Sequence, residues 1–310
     1  MKKKLLFIST VLLVGTFEVF AQQDALFSQY MFNMMLVNPA YTGSRDVLSL
    51  SSLYRKQWAN VPGAPETITF SVDSPIKNEK MGVGLSVFND KVGVVSNTGF
   101  YANYAYRIRL TNNSTLAMGA SLGLTNYRAE LTGVQLSDHA NAAADNAFSG
   151  NPNKILPNLG LGAYYSNDKF YVGFSLPHVL NNKIQNDGGL TARQYRHSFL
   201  MAGYVFNINE SFKIKPSALV KHVAGSPLQL DLNTNVWLYD KFGVGVSYRS
   251  LAAPVIMAEV QISDQFRFGY AFDYTTSIKP KDSFGRTSHE FLLRYEFGYD
   301  RGKVLTPRYF

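Results

Sequence analysis

The sequence predicts an all-β fold, a transmembrane outer-membrane β-barrel of about 14 antiparallel strands preceded by a short N-terminal plug or lid segment. Three observations predict it. Short segments with a period of two recur along the chain, tight and long connections alternate between them, and several segments carry aromatic residues on one face only. Together these features are typical of strands with one face toward lipid and the other toward a polar lumen.

The composition agrees with a β-rich chain. Its 310 residues include 24 Gly, 19 Tyr and 22 Phe, and charged residues make up only 17%. Hydrophobic residues reach 46% while the mean hydropathy is −0.09, so apolar residues are dispersed rather than gathered into long runs. The absence of cysteine excludes disulfides, thiolate metal sites and cysteine nucleophiles.

The first residues have the pattern of a secretory signal peptide. Lysines at positions 2–4 precede an apolar run over 5–15, and VFA at 19–21 fits a cleavage site. The run is too short to favour a membrane anchor helix. We therefore expect residues 1–21 to be removed, which lowers the formal charge from +8 to +6 because the segment holds three Lys and one Glu. With this moderate charge and no dense basic block, nucleic-acid binding is disfavoured.

The strands are predicted from alternation. In FRFGYAFDYTT every second residue from Phe266 to Tyr274 is aromatic, whereas Gly269, Ala271 and Asp273 lie on the other face. No apolar run of about 18 residues follows the signal peptide, so no transmembrane helix is expected. The predicted strands cover residues 45–54, 66–73, 80–89, 97–110, 114–127, 158–166, 168–176, 195–207, 211–222, 227–238, 240–250, 254–262, 264–275 and 286–299.

The connections predict the orientation of the barrel. Those after even-numbered strands are mostly tight, whereas those after odd-numbered strands include the long segments 128–157, 177–194 and 276–285. Outer-membrane barrels have short periplasmic turns and long external loops. An even strand count then puts both termini on the periplasmic side.

A soluble all-β protein is the alternative that the alternation leaves open. So many strands would need two or three sandwiches, yet the chain has no Pro/Ser-rich linker and no domain break. Closing a single sheet satisfies every backbone group without edges, as hydrocarbon requires. We therefore expect one barrel over residues 45–299.

Two segments flank the predicted barrel. Residues 22–44, with DALFSQYMFNMMLVNPAYTGS at 24–44, are too apolar to remain free in the periplasm, so we expect a plug or lid in the barrel mouth. A surface helix that docks a partner is the alternative. Residues 300–310 form a predicted periplasmic tail that tucks back or binds a partner, unless the final Phe310 acts in barrel assembly.

A set of charged residues shares the inward face of the predicted strands. In a plugged or structural interior these charges pair with one another, and in an open lumen they line a polar path or a peptide-docking surface. We favour the paired interior because polar lumens are general in such barrels. The lumen-facing candidates are Arg107, Arg109, Asp231, Arg249, Arg267, Asp273, Glu290, Arg294 and Glu296.

No motif in the sequence predicts catalysis, a cofactor or a metal site. The five histidines lack the spacing of a helical zinc site. His139 lies near Asp138 and Asp145 in a long loop, where we expect solvated side chains rather than metal ligands. Glycine-rich stretches such as GVGLS lack the following helix and lysine of a P-loop.

Several long motifs resemble the PorP/SprF-like family of Bacteroidetes. They are QYMFNMMLVNPAYTGS, FSGNPNKILPNLGLGAYYSNDKFYVGFSLPHVLNNK, GYAFDYTT, SHEFLLRYEF and the ending PRYF, and they extend over essentially the whole mature chain. The resemblance implies an outer-membrane protein of the type IX secretion system in a Gram-negative cell. Some members associate with a periplasmic peptidoglycan-binding lipoprotein. Others partner a large secreted protein, such as a gliding adhesin, through its C-terminal secretion domain.

The expected function is therefore to dock and surface-anchor a secreted partner, with membrane lipid around the barrel. We expect the outer loops 128–157 and 177–194 to hold the partner's C-terminal domain. The alternatives are an outer-membrane channel, including a transporter of hydrophobic compounds, and a soluble periplasmic binder. A channel requires a continuous wet lumen, whereas a docking barrel is expected to be plugged.

Overall fold

A computed structural model describes residues 27–77, 79–133, 150–185, 191–250, 254–274 and 287–297. The predicted signal peptide, the predicted tail and the loop residues Asp138, His139 and Asp145 lie outside these ranges. Within them, no helix is both long enough and apolar enough to cross a membrane.

The described residues form seventeen strands. They are β1 (Leu48–Lys56), β2 (Glu66–Ile76), β3 (Met81–Val92), β4 (Val95–Thr111), β5 (Ser114–Ala129), β6 (Asn153–Asn167), β7 (Phe170–Leu176), β8 (Lys183–Gln185), β9 (Thr191–Arg193), β10 (His197–Tyr204), β11 (Phe206–Asn207), β12 (Phe212–Val223), β13 (Gln229–Leu238), β14 (Phe242–Arg249), β15 (Pro254–Gln261), β16 (Phe266–Tyr274) and β17 (Thr287–Phe297). Three single-turn 3₁₀ helices precede them, at Tyr30–Phe32, Met34–Leu36 and Pro39–Tyr41.

Fourteen of these strands close into one antiparallel barrel, which confirms the predicted fold class. The ring runs from β1 through β7 to β10, and then from β12 through β17 back to β1. Leu48 pairs with Phe297 where the first and last strands meet, and Met201 pairs with Leu219 between β10 and β12. The short β11 extends the β10 side of that junction, and β8 and β9 form a separate two-stranded sheet.

The two faces of the wall differ as the alternation predicts. Outward apolar side chains are exposed, with Leu122 at 66% and Ile155 at 70% of their maximum area. Inward residues are buried, among them Ala271 and Asp273 of β16, while the aromatic residues of that strand face outward. A face that is exposed and apolar on all sides is what lipid requires of a barrel.

The two ends of the barrel differ in their connections. At one end, called here the turn end, short segments join the strands, such as 77–80, 112–113 and 168–169. At the other, called the loop end, the connections include 57–65, 130–152, 177–196 and 275–286. The link between β3 and β4 is an exception, because a two-residue turn with Gly93 at φ 57° closes it at the loop end.

Several strands are longer than the sequence predicts, among them β2, β3, β4 and β5, and β6 differs most. β6 begins at Asn153 instead of 158, and its first residues pair with β5 alone, because β7 ends at Leu176 opposite Leu161. Pro157 fits this stretch because it lacks an N–H and the stretch has a partner on one side only. The connection after β7 lies along the side without a strand partner, where Val179 N donates to Leu159 O at 2.8 Å.

Candidate functional site in the barrel lumen

Residues 27–44, called here the inner segment, run along the inside of the ring. At the loop end, Arg249 of β14 donates to Phe27 O at 3.4 Å. At the turn end, Gly43 N donates to the Asp73 carboxylate at 2.8 Å. The segment therefore descends through the lumen before β1 begins. The strands start and finish at the turn end as an even count predicts, whereas Phe27, the first described residue, lies at the loop end.

Local sequence explains the turns of the inner segment. Asn38 caps the third 3₁₀ helix, because its Oδ1 accepts from Ala40 N at 3.0 Å and Pro39 occupies the first helical position. The Asn38 Nδ2 donates to Ala163 O of β6 at 3.0 Å. One side chain thus both shapes the turn and fixes the segment to the wall.

Inward glycines let the backbone of the inner segment approach the wall closely. A Cβ added to Gly119 would lie 2.2 Å from Ala40 N, and one added to Gly162 would lie 2.0 Å from the Asn38 Oδ1. At the turn end, a Cβ on Gly82 would lie 2.0 Å from Thr42 O. No side chain fits at these positions, so β3, β5 and β6 form a surface shaped to the segment.

A carboxylate of β17 holds the upper part of the inner segment. Glu290 accepts hydrogen bonds from Ser28 N at 2.8 Å and Gln29 N at 2.7 Å. The same carboxylate pairs with Arg55 at 3.0 Å, and Arg55 also pairs with Asp273 at 2.7 Å. All three charged side chains are buried, so the cluster joins β1, β16 and β17 to the segment.

A second buried cluster holds its lower part. Arg45 pairs with Glu296 at 2.9 Å and donates to Phe32 O at 3.1 Å. Arg294 donates to the same carbonyl at 2.9 Å and contacts Glu296 at 3.3 Å. Glu259 of β15 contacts Arg294 at 3.5 Å and pairs with Arg267 of β16 at 3.1 Å, which extends the charged network to two more strands.

The structure brings eight of the nine sequence-predicted charged residues to the inside of the ring. Beside those of the two clusters, Arg107 donates to Gly43 O at 2.9 Å, and Arg249 pairs with Asp231 at 2.9 Å. Arg109 is the exception, because its side chain is 68% exposed at the turn end, where it pairs with Glu79. It lies past the last turn of the inner segment.

Sequence reasoning did not single out several of the partners. Arg45 is the first residue of the predicted strand 45–54, but in the structure it precedes β1, which begins at Leu48. Arg55 and Glu259 lie on strands whose inward sets also contain the apolar residues Leu53 and Met257. For Arg55 and Glu259, the available signal was that each lies two residues from an inward apolar residue and so shares its face of the strand.

Apolar and aromatic side chains fill the middle of the lumen. Tyr41 packs edge-on against Tyr164 with ring centroids 5.4 Å apart, and Tyr164 stacks on Tyr171 at 5.7 Å. The ammonium of the fully buried Lys215 lies 5.6 Å from the Tyr171 ring. The buried cluster also contains Met31, Met34, Met35, Met201 and Trp237.

A cavity of about 410 Å³ lies above the inner segment at the loop end. Its floor is formed by Phe27, Tyr30, Leu36 and Val37 of that segment. Its walls come from seven barrel strands and from the connection after β7. The wall residues are Thr67, Thr69, Phe88, Asp90, Val92, Val95, Asn97, Thr125, Tyr127, Leu156, Pro177, His178, Gln194, Tyr195, Phe199 and Leu219.

Metal-binding geometry does not occur in the part of the chain that the structure describes. No group of three or more His, Cys, Asp or Glu side chains there is arranged to hold a metal ion. Acids of the lumen instead face arginines or backbone N–H groups, as at Glu290 and Asp73.

Comparison with protein families gives one match over most of the chain. The family model described as type IX secretion system membrane protein PorP/SprF matches residues 19–295. No curated protein matches the chain.

Solved structures with similar folds are membrane barrels. A Pseudomonas aeruginosa FadL homologue is 13% identical with a TM-score of 0.50, and the match covers 87% of this chain and 94% of that chain. The CymD monoaromatic hydrocarbon channel is 11% identical with a TM-score of 0.51, covering 88% of this chain and 94% of that chain. At these identities the likeness extends to the barrel fold alone.

Proposed function

The chain belongs to the PorP/SprF family of type IX secretion system membrane proteins, and from this premise we propose that it docks a secreted partner and retains it at the cell surface. The family and the barrel fold point to the outer membrane. In this proposal the partner binds at the loop end through its C-terminal secretion domain. The turn end and its flanking segments face the periplasmic machinery, including a peptidoglycan-binding lipoprotein.

The observation that carries the proposal is the filled lumen. Residues 27–44 contact strands around the ring, including β2, β6, β14 and β17, and most of them are buried. We propose that this segment is a plug. A plugged barrel suits a protein that holds a partner at one face, because no continuous aqueous path remains for solutes.

The test is a mild-detergent pull-down of the full chain from its native membrane, with mass spectrometry of the bound proteins. We expect a large secreted protein of the type IX pathway to be recovered. Loss of the chain should release that protein into the medium. Recovery of lipid alone, with normal surface retention after loss of the chain, would contradict the docking role.

Transport of a hydrophobic compound is the second candidate. The cavity at the loop end favours it, because aromatic and aliphatic residues line much of its wall. The FadL homologue and the hydrocarbon channel share the barrel fold. Transport also needs an exit, however, and in our proposal the plug blocks the route to the turn end. Uptake of a labelled aromatic hydrocarbon into vesicles that depends on the chain would favour this alternative.

A further inference from the structure

The loop-end cavity is closed below and lined by strands on its sides. All four floor residues belong to the inner segment, and beneath them lies the buried cluster around Tyr41 and Tyr164. A ligand that enters from the loop end therefore meets a floor and leaves by the same mouth. Such geometry is suited to holding a group in place.

Its size fits a few side chains. A cavity of about 150 Å³ holds one benzene ring, and this cavity measures about 410 Å³. It therefore has room for about two or three aromatic or branched side chains. Phe88, Leu156 and Phe199 offer apolar contacts, while Asn97 and Gln194 offer neutral hydrogen-bonding groups.

The charged residues that line the cavity indicate which ligands it can bind. The formal charge of the chain is +8, yet no Lys or Arg is found among the described residues that line the cavity. Asp90 is the one acidic residue in that lining, and it accepts a hydrogen bond from Thr67 at 2.6 Å. An anionic sugar or a phosphate headgroup would find no lysine or arginine among these described lining residues, whereas a neutral or basic group would face a carboxylate.

The position of the cavity favours a polypeptide over a free small molecule. One wall belongs to the connection after β7, which contributes Pro177, His178, Gln194 and Tyr195. This wall is therefore continuous with the surface at the loop end. A chain lying on that surface can insert side chains without entering the barrel. A free solute would gain no route onward, because the floor is closed.

From these observations we propose that the cavity is an anchor pocket that receives an apolar, aromatic segment of the secreted partner, with a basic or hydrogen-bond-donating group opposite Asp90. The proposal rests on the docking function above and specifies its site. Anchoring side chains that fill a desolvated pocket dominate the affinity of many interfaces.

Site-specific photocrosslinking tests the occupant. The crosslinking amino acid p-benzoylphenylalanine replaces Asn97, which lines the cavity, or its neighbour Thr98, which faces outward on the same strand. We expect a crosslink from position 97 to the partner recovered in the pull-down, mapped to an aromatic peptide of that partner. Position 98 should give lipid adducts only. Lipid or small-molecule adducts alone at position 97 would overturn the proposal.

Substitutions that fill the cavity test whether it contributes to binding of the partner. Leu156→Trp occupies the pocket, whereas Ile155→Trp places the same side chain on the exposed outer face of β6. We expect Leu156→Trp to lower the crosslink yield at position 97 by at least about tenfold and Ile155→Trp to leave it unchanged. Asp90→Asn, which adds no volume, should lower it in the same direction. Heat-modifiable gel migration reports whether each variant has folded.

The outcomes separate the pocket from the docking function. Equal recovery of the secreted partner by wild type and a folded Leu156→Trp variant would overturn the pocket while docking stands. Recovery of no secreted partner by either protein would overturn docking itself, and the pocket proposal with it.

Discussion

At the scale of single residues, Glu290 connects the inner segment to the wall more directly than any other predicted residue. Its carboxylate accepts from two backbone N–H groups and pairs with Arg55. A buried ion pair adds little net stability, because desolvation offsets much of the attraction. Removing the Glu290 charge is costly, however, because Ser28 N and Gln29 N lose a charged acceptor, while Arg55 keeps Asp273 as its partner.

Glu290→Gln should therefore destabilise the barrel by about 1–3 kcal/mol, the cost of leaving a buried donor unsatisfied. The matched control is Glu66→Gln, because Glu66 pairs with Lys56 at 2.7 Å where both side chains are partly exposed, at 43% and 33%. That pair is screened by solvent, so its loss should cost less than about 1 kcal/mol. Urea unfolding in lipid vesicles, followed by tryptophan fluorescence, measures both. Equal costs for the two variants would contradict the assigned role of Glu290.

Sequence could assign a face to each charged residue but could not identify its partner. Alternation on β17 and β16 is strict, so Glu290, Arg294 and Asp273 were predictable as inward residues. Their partners Arg45 and Arg55 lie at the two ends of the first strand, where the predicted bounds 45–54 differ from those of β1, Leu48–Lys56. Arg109 shares the face of Arg107, and its exposure depends on where the inner segment ends, which no local pattern reports.

At the scale of elements, the strands were predictable from the sequence, whereas the path of the inner segment along the wall was not. A strand between lipid and lumen needs apolar side chains on one face and small or polar side chains on the other, so its sequence alternates with a period of two. The third 3₁₀ turn has a local signal in Asn38 and Pro39, but the close approach of the segment to the wall depends on distant glycines such as Gly119 and Gly162. The early start of β6 likewise depends on its pairing with β5, since NKILPN shows no alternation.

The outer face of β5 offers a test of lipid contact. Leu122 is exposed at the middle of the strand, so Leu122→Arg should cost about 2–4 kcal/mol in a bilayer. Leu110 is exposed at the turn end of β4, where Leu110→Arg should cost no more than about 1 kcal/mol. Unfolding in lipid vesicles measures both values. A cost that does not depend on depth would place this face outside the membrane.

At the scale of the whole molecule, the barrel has a cavity at the loop end and a segment that crosses the lumen below it. Fourteen strands form the wall, the inner segment crosses the lumen, and a cavity remains at the loop end. The strand ring follows from patterning, and the family follows from motifs. The partly filled lumen with its remaining cavity does not follow from local sequence patterns. It forms only when residues 27–44 contact inward residues from strands throughout the chain.

Gly119→Val is the substitution aimed at the proposed plug. An added Cβ would lie 2.2 Å from Ala40 N, so the inner segment must move away from β5. The control Ala120→Val adds the same branched side chain to the outward face of β5. We expect the first variant to open a path through the lumen and the second to leave it closed.

Single-channel recording in planar bilayers is the most direct test of the claim that the lumen is sealed. The wild-type chain and Ala120→Val should give no stable conductance steps, whereas Gly119→Val should give discrete steps. Stable, large steps from the folded wild-type chain would contradict the account, because residues 27–44 could not then be closing the barrel.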